Sequence, residues 1–288
     1  MVSFVILHYQ VTDVTCNCVE SILKNVEGEK RIIIVDNDSP NGSYQILKEK
    51  YKDQVNVIVL KNKKNDGFAK GNNIGYRYAK NYNDSDFIVV MNNDMEIEQV
   101  DFIDKIYESY NETNFAILGP DIYSVKYKYH QNPQASKNFT YEELIERKKR
   151  LIIKNKLNVV YYLRWRLLGN LFPKKKADYS HKKYIGHIVE NVPLHGSCYV
   201  FSKDFISQHD DCFDDGTFMY FESYILFYHA QRNNEKVVYD PRIFLKHFED
   251  VSTDKAVPDH YKKAVFSNKH LLDSIEYFVK LMEKDKTY

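Results

Sequence analysis

Four short apolar runs in the first 92 residues restrict the fold more than any other feature of this chain: VSFVILH at 2–8, RIIIVD at 31–36, VNVIVL at 55–60 and FIVVMN at 87–92. Each is rich in β-branched residues and too short for a buried helix, so each predicts a buried strand. Helical spacing fills the gaps. VTCNCVESILKNV carries Val14, Val19, Ile22 and Leu23 on one stripe, SYQILKEKY follows, and NDGFAKGNNIGYRYAKNY reads as a glycine-punctuated turn leading into a helix. This alternation predicts an α/β fold: a mainly parallel, doubly wound sheet with helices on both faces. Right-handed crossovers then bring the strand ends to one edge, and open sheets of this kind bind ligands beyond the carboxyl ends of their strands. Two of the runs stop on water-preferring residues at that edge, the second on Asp36 and the fourth on Asn92, Asn93 and Asp94.

The chemistry available to those acids is narrowed by what surrounds them. A dinucleotide fingerprint would follow the first strand, yet LHYQVTDVTCN holds no glycine, and a Walker A loop is also missing from the sequence. A nucleotide can still bind if an acid at an early strand end holds the base and a metal holds the diphosphate, an arrangement that Asp36 and Asp94 satisfy. Mg2+ and Mn2+ are commonly held by one or two carboxylates plus phosphate oxygens, so Asp94 can anchor such an ion with His247 of IFLKHFEDVS as a second ligand.

Further along, GSCYVFSK and KVVYDPRIFLKHF predict strands, with FMYFESYILFYHAQRNN a helix between them. The last helix, YKKAVFSNKHLLDSIEYFVKLMEK, has an apolar stripe at Val265, Leu272, Ile275, Val279 and Met282, which either packs on its own domain or pairs with a second copy as a homodimer. Cys16, Cys18, Cys198 and Cys212 show no zinc-ligand spacing beyond one C-x-C, which fits a reducing cytoplasm. The sequence has no apolar run of 18 residues and opens directly on a strand, so neither export nor membrane spanning is expected.

The net charge of +1 hides an asymmetry, because residues 145–183 hold 13 Lys and Arg against Glu146 and Asp178. That segment carries +11 and leaves the remainder at −10. Interleaved with LNVVYYLRWRLLGNLF, it reads either as a solvated helical insertion or as a surface for an anionic partner. Nucleic acid is not expected as that partner, since the acidic remainder opposes phosphate polymers over most of the surface.

Six ordered stretches resemble glycosyltransferase family 2: VDNDSPNGS, NDGFAKGNNIG, VVMNNDMEI, HGSCYVFSKDFI, CFDDGTFMYFESYIL and VVYDPRIFLKHFEDVS. Within it the chain looks like the rhamnosyltransferase-like branch of bacterial capsule and lipopolysaccharide synthesis. The likeness covers about residues 1–125 and 190–255. It implies a GT-A fold over 1–255, with 1–125 the nucleotide-sugar half, 126–189 a basic helical insertion, 190–255 the acceptor and catalytic half, and 256–288 a C-terminal helical extension. It also implies a metal-dependent hexosyltransferase using a nucleoside-diphosphate sugar, UDP- or dTDP-linked, with Mn2+ or Mg2+. Asp36, with its neighbour Asn37, matches the base-reading position, and Gly67, Phe68, Ala69, Gly71 and Asn72 match a loop lying along the ribose and diphosphate. Asn92, Asn93 and Asp94 stand where the family has its D-x-D element, with only the last carboxylate kept.

Inverting transfer needs a carboxylate to take the proton of the attacking hydroxyl, and neutralisation of the departing diphosphate. The family places its base in an FED or FEED stretch, which reads YFESYIL here. Glu222 is retained, but the acid that usually follows is replaced by Ser223 and Tyr224. Glu222 is therefore the expected base, with Asp214 or Asp215 as substitutes, and a catalytically impaired sugar-nucleotide-binding protein is the alternative. A nucleotidyltransferase would need a basic glycine-rich loop near the N-terminus, where residues 8–20 offer none. Acceptors of the family are often saccharides linked to lipid diphosphate. The basic segment, with Trp165, Tyr161 and Tyr162, is then expected to hold the enzyme on the anionic inner face of the cell membrane.

Overall fold

The computed structural model describes residues 1–157, 184–249 and 260–286. The four apolar runs form β1 (Val2–His8), β2 (Lys30–Asp36), β3 (Val57–Lys61) and β4 (Phe87–Asn92), joined through α1 (Thr12–Asn25), α2 (Ser43–Lys50) and α3 (Gly67–Asn81). There follow β5 (Met95–Glu96), α4 (Phe102–Thr113), β6 (Ile117–Ser124), β7 (Tyr129–His130), α5 (Tyr141–Lys156), β8 (Val189–Glu190) and β9 (Cys198–Ser202). Last come α6 (Lys203–Gln208), α7 (Glu222–Arg232), β10 (Val237–His247) and α8 (His260–Lys286).

Among the described residues the ten strands join one sheet, ordered β3-β2-β1-β4-β9-β6-β10-β5, with β7 on β6 and β8 on β10. The sheet is mainly parallel. β9 enters between β4 and β6 and runs antiparallel to both, so chain from both halves is hydrogen-bonded into one core. Registers fix the functional edge: His8 lies opposite Asp36, and Leu7 opposite Asn92, so the carboxyl ends of β1, β2 and β4 are level. β10 runs parallel to β6 with a register shift between Asp240 and Phe244, then meets β5 antiparallel with His247 opposite Met95. That short pairing carries His247 to the end of β4.

The period-two alternation of strand side chains divides the core. Phe4, Ile6, Ile32, Ile34, Val89 and Met91 pack with Val19 and Ile22 of α1 and Ile103 and Ile106 of α4. Val5, Ile33, Val35, Ile88 and Val90 face Ala69, Tyr76 and Ala79 of α3 and Leu226, Phe227 and Ala230 of α7. A third cluster joins Leu144 and Leu151 of α5, Ile225 of α7, and Ile275, Phe278, Val279 and Met282 of α8. Of the apolar stripe of the last helix, Ile275, Val279 and Met282 are thus covered within the chain, against α5 and α7, Leu272 is partly covered and Val265 is exposed.

Three local readings are revised. The stretch from Gly67 is already helix, not a loop preceding one. The helix expected across FMYFESYILFYHAQRNN begins only at Glu222, because Tyr220 and Phe221 are both left-handed. FAILGPDIYS supplies β6, a buried strand within the sheet in addition to those expected from the sequence. Of the basic segment, α5 is seen, while residues 158–183, with Trp165, Tyr161 and Tyr162, lie outside the described residues. Among the described residues no helix is long and apolar enough to cross a membrane.

Candidate active site

Asp94 sits in the turn between β4 and β5, buried, its carbonyl accepting from Phe248 N–H at 2.9 Å. The β5–β10 pairing sets His247 Nε2 3.2 Å from Asp94 Oδ1. Despite that approach, Asp94 Oδ1 has no hydrogen-bond partner. Gln131 Nε2 donates to Glu249 Oε1 at 2.7 Å, which turns Gln131 Oε1 toward His247 Nδ1 at 2.8 Å. Nδ1 therefore carries a proton, which leaves Nε2 as the ring nitrogen that can give its lone pair to a cation beside the Asp94 carboxylate. A buried carboxylate oxygen and an imidazole nitrogen this close are a suitable pair of ligands for a divalent cation. Among the described residues no group of three or more His, Cys, Asp and Glu could hold a metal, so the remaining ligands would come from phosphate oxygens or water.

Glu222 opens α7 behind two consecutive left-handed residues, Tyr220 at φ 77° and Phe221 at φ 70°. Such backbone is strained for bulky side chains and persists only where the surroundings impose it. Here α8 supplies the hold: Tyr220 Oη and Ser267 Oγ are 2.9 Å apart, Ser274 Oγ donates to the Met219 carbonyl at 2.9 Å, and His270 stacks on Phe218. On the opposite side the same segment meets α3, where Phe68 N–H donates to the Phe218 carbonyl at 2.8 Å. Gly67 has φ +87°, and a Cβ there would lie 2.1 Å from that carbonyl oxygen, so no other residue fits. Glu222 is buried, accepts from Thr217 Oγ1 at 3.0 Å, and burial pushes its pKa up to about 7. This is the range in which a general base is most effective near neutral pH.

Ser223 and Tyr224, which replace the usual second acid, are built into packing: Ser223 Oγ donates to Gln134 Oε1 at 2.8 Å and Tyr224 packs edge-on against Phe139. The stretch 131–134 therefore touches both halves of the site, Gln131 orienting His247 and Gln134 holding the residue after Glu222. The two substitute acids have other tasks. Asp214 accepts from Tyr277 Oη at 2.6 Å, Gly216 N–H at 2.9 Å and His229 Nε2 at 3.1 Å. Burial alone would raise its pKa, but these bonds outweigh it and hold the carboxyl below its ordinary value. Asp215 is exposed, with Lys70 Nζ 4.0 Å away.

At the other end of the edge, Asp36 is completely buried, Oδ1 accepting from Ser39 N–H at 3.0 Å and Oδ2 from Ser43 Oγ at 3.4 Å. Asn37 is the centre of an amide chain: it accepts from Asn62 Nδ2 and donates to Asn65 Oδ1 and the Gly67 carbonyl, fixing the entry to α3. Within that helix Ala69 faces the sheet, and a Cβ on Gly71 would come within 2.6 Å of Leu7 Cδ1. Phe68 packs against Phe213. Asn72 donates to the Phe68 carbonyl and keeps Oδ1 buried without a partner. Asn92 N–H donates to the Ser197 carbonyl, and Asn93 Nδ2 to Thr15 Oγ1 at 2.9 Å. His8, Thr15, Ser43 and Gln131 were missed in the sequence. His8 carries the same signal as Asp36, a polar residue closing a buried strand, while Gln131 gives no local sign.

Residues 3–167 match the family described as glycosyl transferase family 2. The match takes in more than half of the chain, and the protein belongs to that family. The low-salt glycan biosynthesis hexosyltransferase Agl10 of Haloferax volcanii is 23% identical over 216 residues, 75% of this chain and 58% of that protein. TarS 1–349 of S. aureus superposes with a TM-score of 0.51 at 14% identity, covering 83% of this chain and 60% of that one. GalNAc-T7, solved with UDP, GalNAc and Mn2+, superposes at 0.59 with 14% identity, covering 91% and 49%. The chain thus spans no more than 60% of the length of these relatives. At such identities the solved structures establish the fold, a mixed α/β architecture of the GT-A kind.

Proposed function

We propose that this protein is an inverting glycosyltransferase that moves rhamnose or another hexose from a UDP- or dTDP-linked donor to a growing bacterial surface polysaccharide, carried on lipid diphosphate. The observation that carries this is the buried Asp94–His247 pair, a carboxylate oxygen and a ring nitrogen 3.2 Å apart at the ligand edge of a family 2 fold. Mn2+ or Mg2+ held there would neutralise charge on the departing diphosphate.

The chain's own residues supply the rest. Residues 1–125 form the donor half, with Asp36, Asn37 and the start of α3 at the nucleoside end and Asn92 and Asn93 beside the diphosphate. Residues 190–255 form the catalytic half, where Glu222 accepts the proton of the attacking hydroxyl once it is ionised. The basic face of α5, in the insertion 126–189, turns the enzyme toward an anionic leaflet on the cytoplasmic side, with α8 of the C-terminal extension steadying the Glu222 segment.

Thermal midpoints recorded with UDP-, dTDP- and GDP-sugars, with and without Mn2+, test the reading. A ligand at 100 times its dissociation constant adds about 2.7 kcal/mol, so one nucleotide class should give a clear metal-dependent rise that Asp94→Ala abolishes. No rise with any donor, or an equal rise in the variant, would remove Asp94 from a donor site.

A further inference from the structure

Five fully or nearly buried polar side chains from separate elements form one hydrogen-bonded line beneath the ligand edge: Asp36, Ser43, His8, Thr15 and Asn93. Ser43 Oγ lies 3.4 Å from Asp36 Oδ2 and 2.8 Å from His8 Nε2. Thr15 Oγ1 lies 2.7 Å from His8 Nδ1, 3.3 Å from the Val11 carbonyl and 2.9 Å from Asn93 Nδ2. The protons on this line are ordered. Asp36 Oδ2 needs a donor, and Ser43 supplies it; Ser43 Oγ must then accept from His8 Nε2–H. His8 Nδ1 is left as an acceptor for the Thr15 hydroxyl, whose oxygen accepts from Asn93. With the opposite tautomer Ser43 would donate to the ring, and Asp36 Oδ2 would face a second lone pair, that of Nε2, at 3.6 Å. Burial, against the opposing pull of Asp36, lowers the His8 pKa to about 4, so the ring is neutral as this order requires.

We propose that His8 is a positioning residue for donor binding, and that the His8–Thr15–Ser43 unit fixes the Asp36 end and the Asn92–Asp94 end of the donor site relative to each other. This role rests on the donor-site reading given above. β1 lies between β2 and β4 in the sheet, so its last residue is the one that can reach both neighbouring strand ends. Apolar residues would satisfy core packing there at no polar penalty. A chain of satisfied buried polar groups instead specifies one arrangement of the parts it joins, and acts as a unit.

The test uses the full chain and titrates UDP, dTDP and GDP, each with Mn2+, carrying forward the tightest binder. Compared are wild type, Thr15→Val, Thr15→Ser, Ser43→Ala, the double variant Thr15→Val/Ser43→Ala, and Asp94→Asn, with thermal midpoints alongside. Thr15→Val and Ser43→Ala should each weaken nucleotide binding by about 5- to 20-fold, and Thr15→Ser should stay within about twofold of wild type. The double variant should be no weaker than the worse single one by more than about twofold, because one unit has been broken twice. A lower midpoint with unchanged nucleotide affinity in Thr15→Val, while Asp94→Asn abolishes the Mn2+ effect, would make the line purely structural and overturn the inference alone. Nucleotide binding indifferent to Asp94→Asn would overturn the donor-site reading and this inference with it.

Discussion

Glu222 illustrates how much a single position depends on its surroundings. Its carboxyl is pushed up to about 7 by burial, a larger effect than its bond from Thr217. Transfer should therefore rise with pH through about 7, as the buried acid becomes a carboxylate able to take a proton. Glu222→Gln should lower turnover by about 10²- to 10⁴-fold and leave nucleotide binding within a few-fold of wild type, measured by initial rates and by titration. Stability moves the other way. An unfolded chain releases this proton near the ordinary carboxylate value while the folded chain retains it up to about 7, so stability declines between those two pH values and is then level. The decline is at most roughly 3 kcal/mol, and Glu222→Gln should remove it. Thermal midpoints at pH 5 and pH 8 check this, and an equal fall in both proteins would assign the decline to other groups. The sequence made Asp94 visible as an acid closing an apolar run and His247 as a histidine in IFLKHFEDVS, while Glu222 was visible only through the likeness of YFESYIL to the family's FED stretch. Burial, which decides what those side chains can do, is set by residues distant in the chain and leaves no mark beside them.

At the level of elements, the site depends on a clamp. The 217–221 segment lies between the start of α3 and the side of α8, joined to the first through Phe68 N–H and to the second through Ser267 and Ser274. Gly67→Ala should break that arrangement, since the new methyl group would meet the Phe218 carbonyl and the backbone is left-handed there. A loss of about 2–4 kcal/mol in denaturant unfolding is expected, and in the folded fraction turnover should fall more than donor affinity, because the displaced segment carries Glu222. Wild-type stability in this variant would show that α3 and the segment do not press on each other. The periodicities announced α1, α2 and α8, where one face is buried and the other wet. They misplaced the start of α3, whose glycines look like a turn but serve close approach to β1. They also began α7 too early, because Tyr220 and Phe221 fit a helical stripe by type while tertiary packing holds them left-handed.

For the whole molecule, the sheet and the charge distribution pose different problems. The parallel half was legible from alternation alone, but the insertion of β9 between β4 and β6 was not, because strand order depends on long-range pairing that no local pattern encodes. The charge asymmetry was plain in the sequence, and the structure shows where part of it goes. On α5, Lys149, Ile153 and Lys156 are exposed at helical spacing, with Leu157 exposed beside them. Arg150 and Lys148 are partly engaged, in ion pairs with Glu146 and Glu276. An apolar side chain flanked by lysines suits the surface of an anionic leaflet, to which each basic residue near the headgroups contributes about 1 kcal/mol. Wild-type protein should float with vesicles containing phosphatidylserine or phosphatidylglycerol, and less as salt is raised from 50 to about 300 mM. Lys149→Glu/Lys156→Glu should reduce the bound fraction by about tenfold or more, since two attractions become two repulsions, while Ile153→Ser should weaken binding in a way that salt does not alter. Both variants lie on a solvated face and should keep their thermal midpoints. Flotation of the charge-reversed protein equal to that of wild type would show that this face of α5 does not meet the membrane, and that the positive charge of the insertion acts elsewhere.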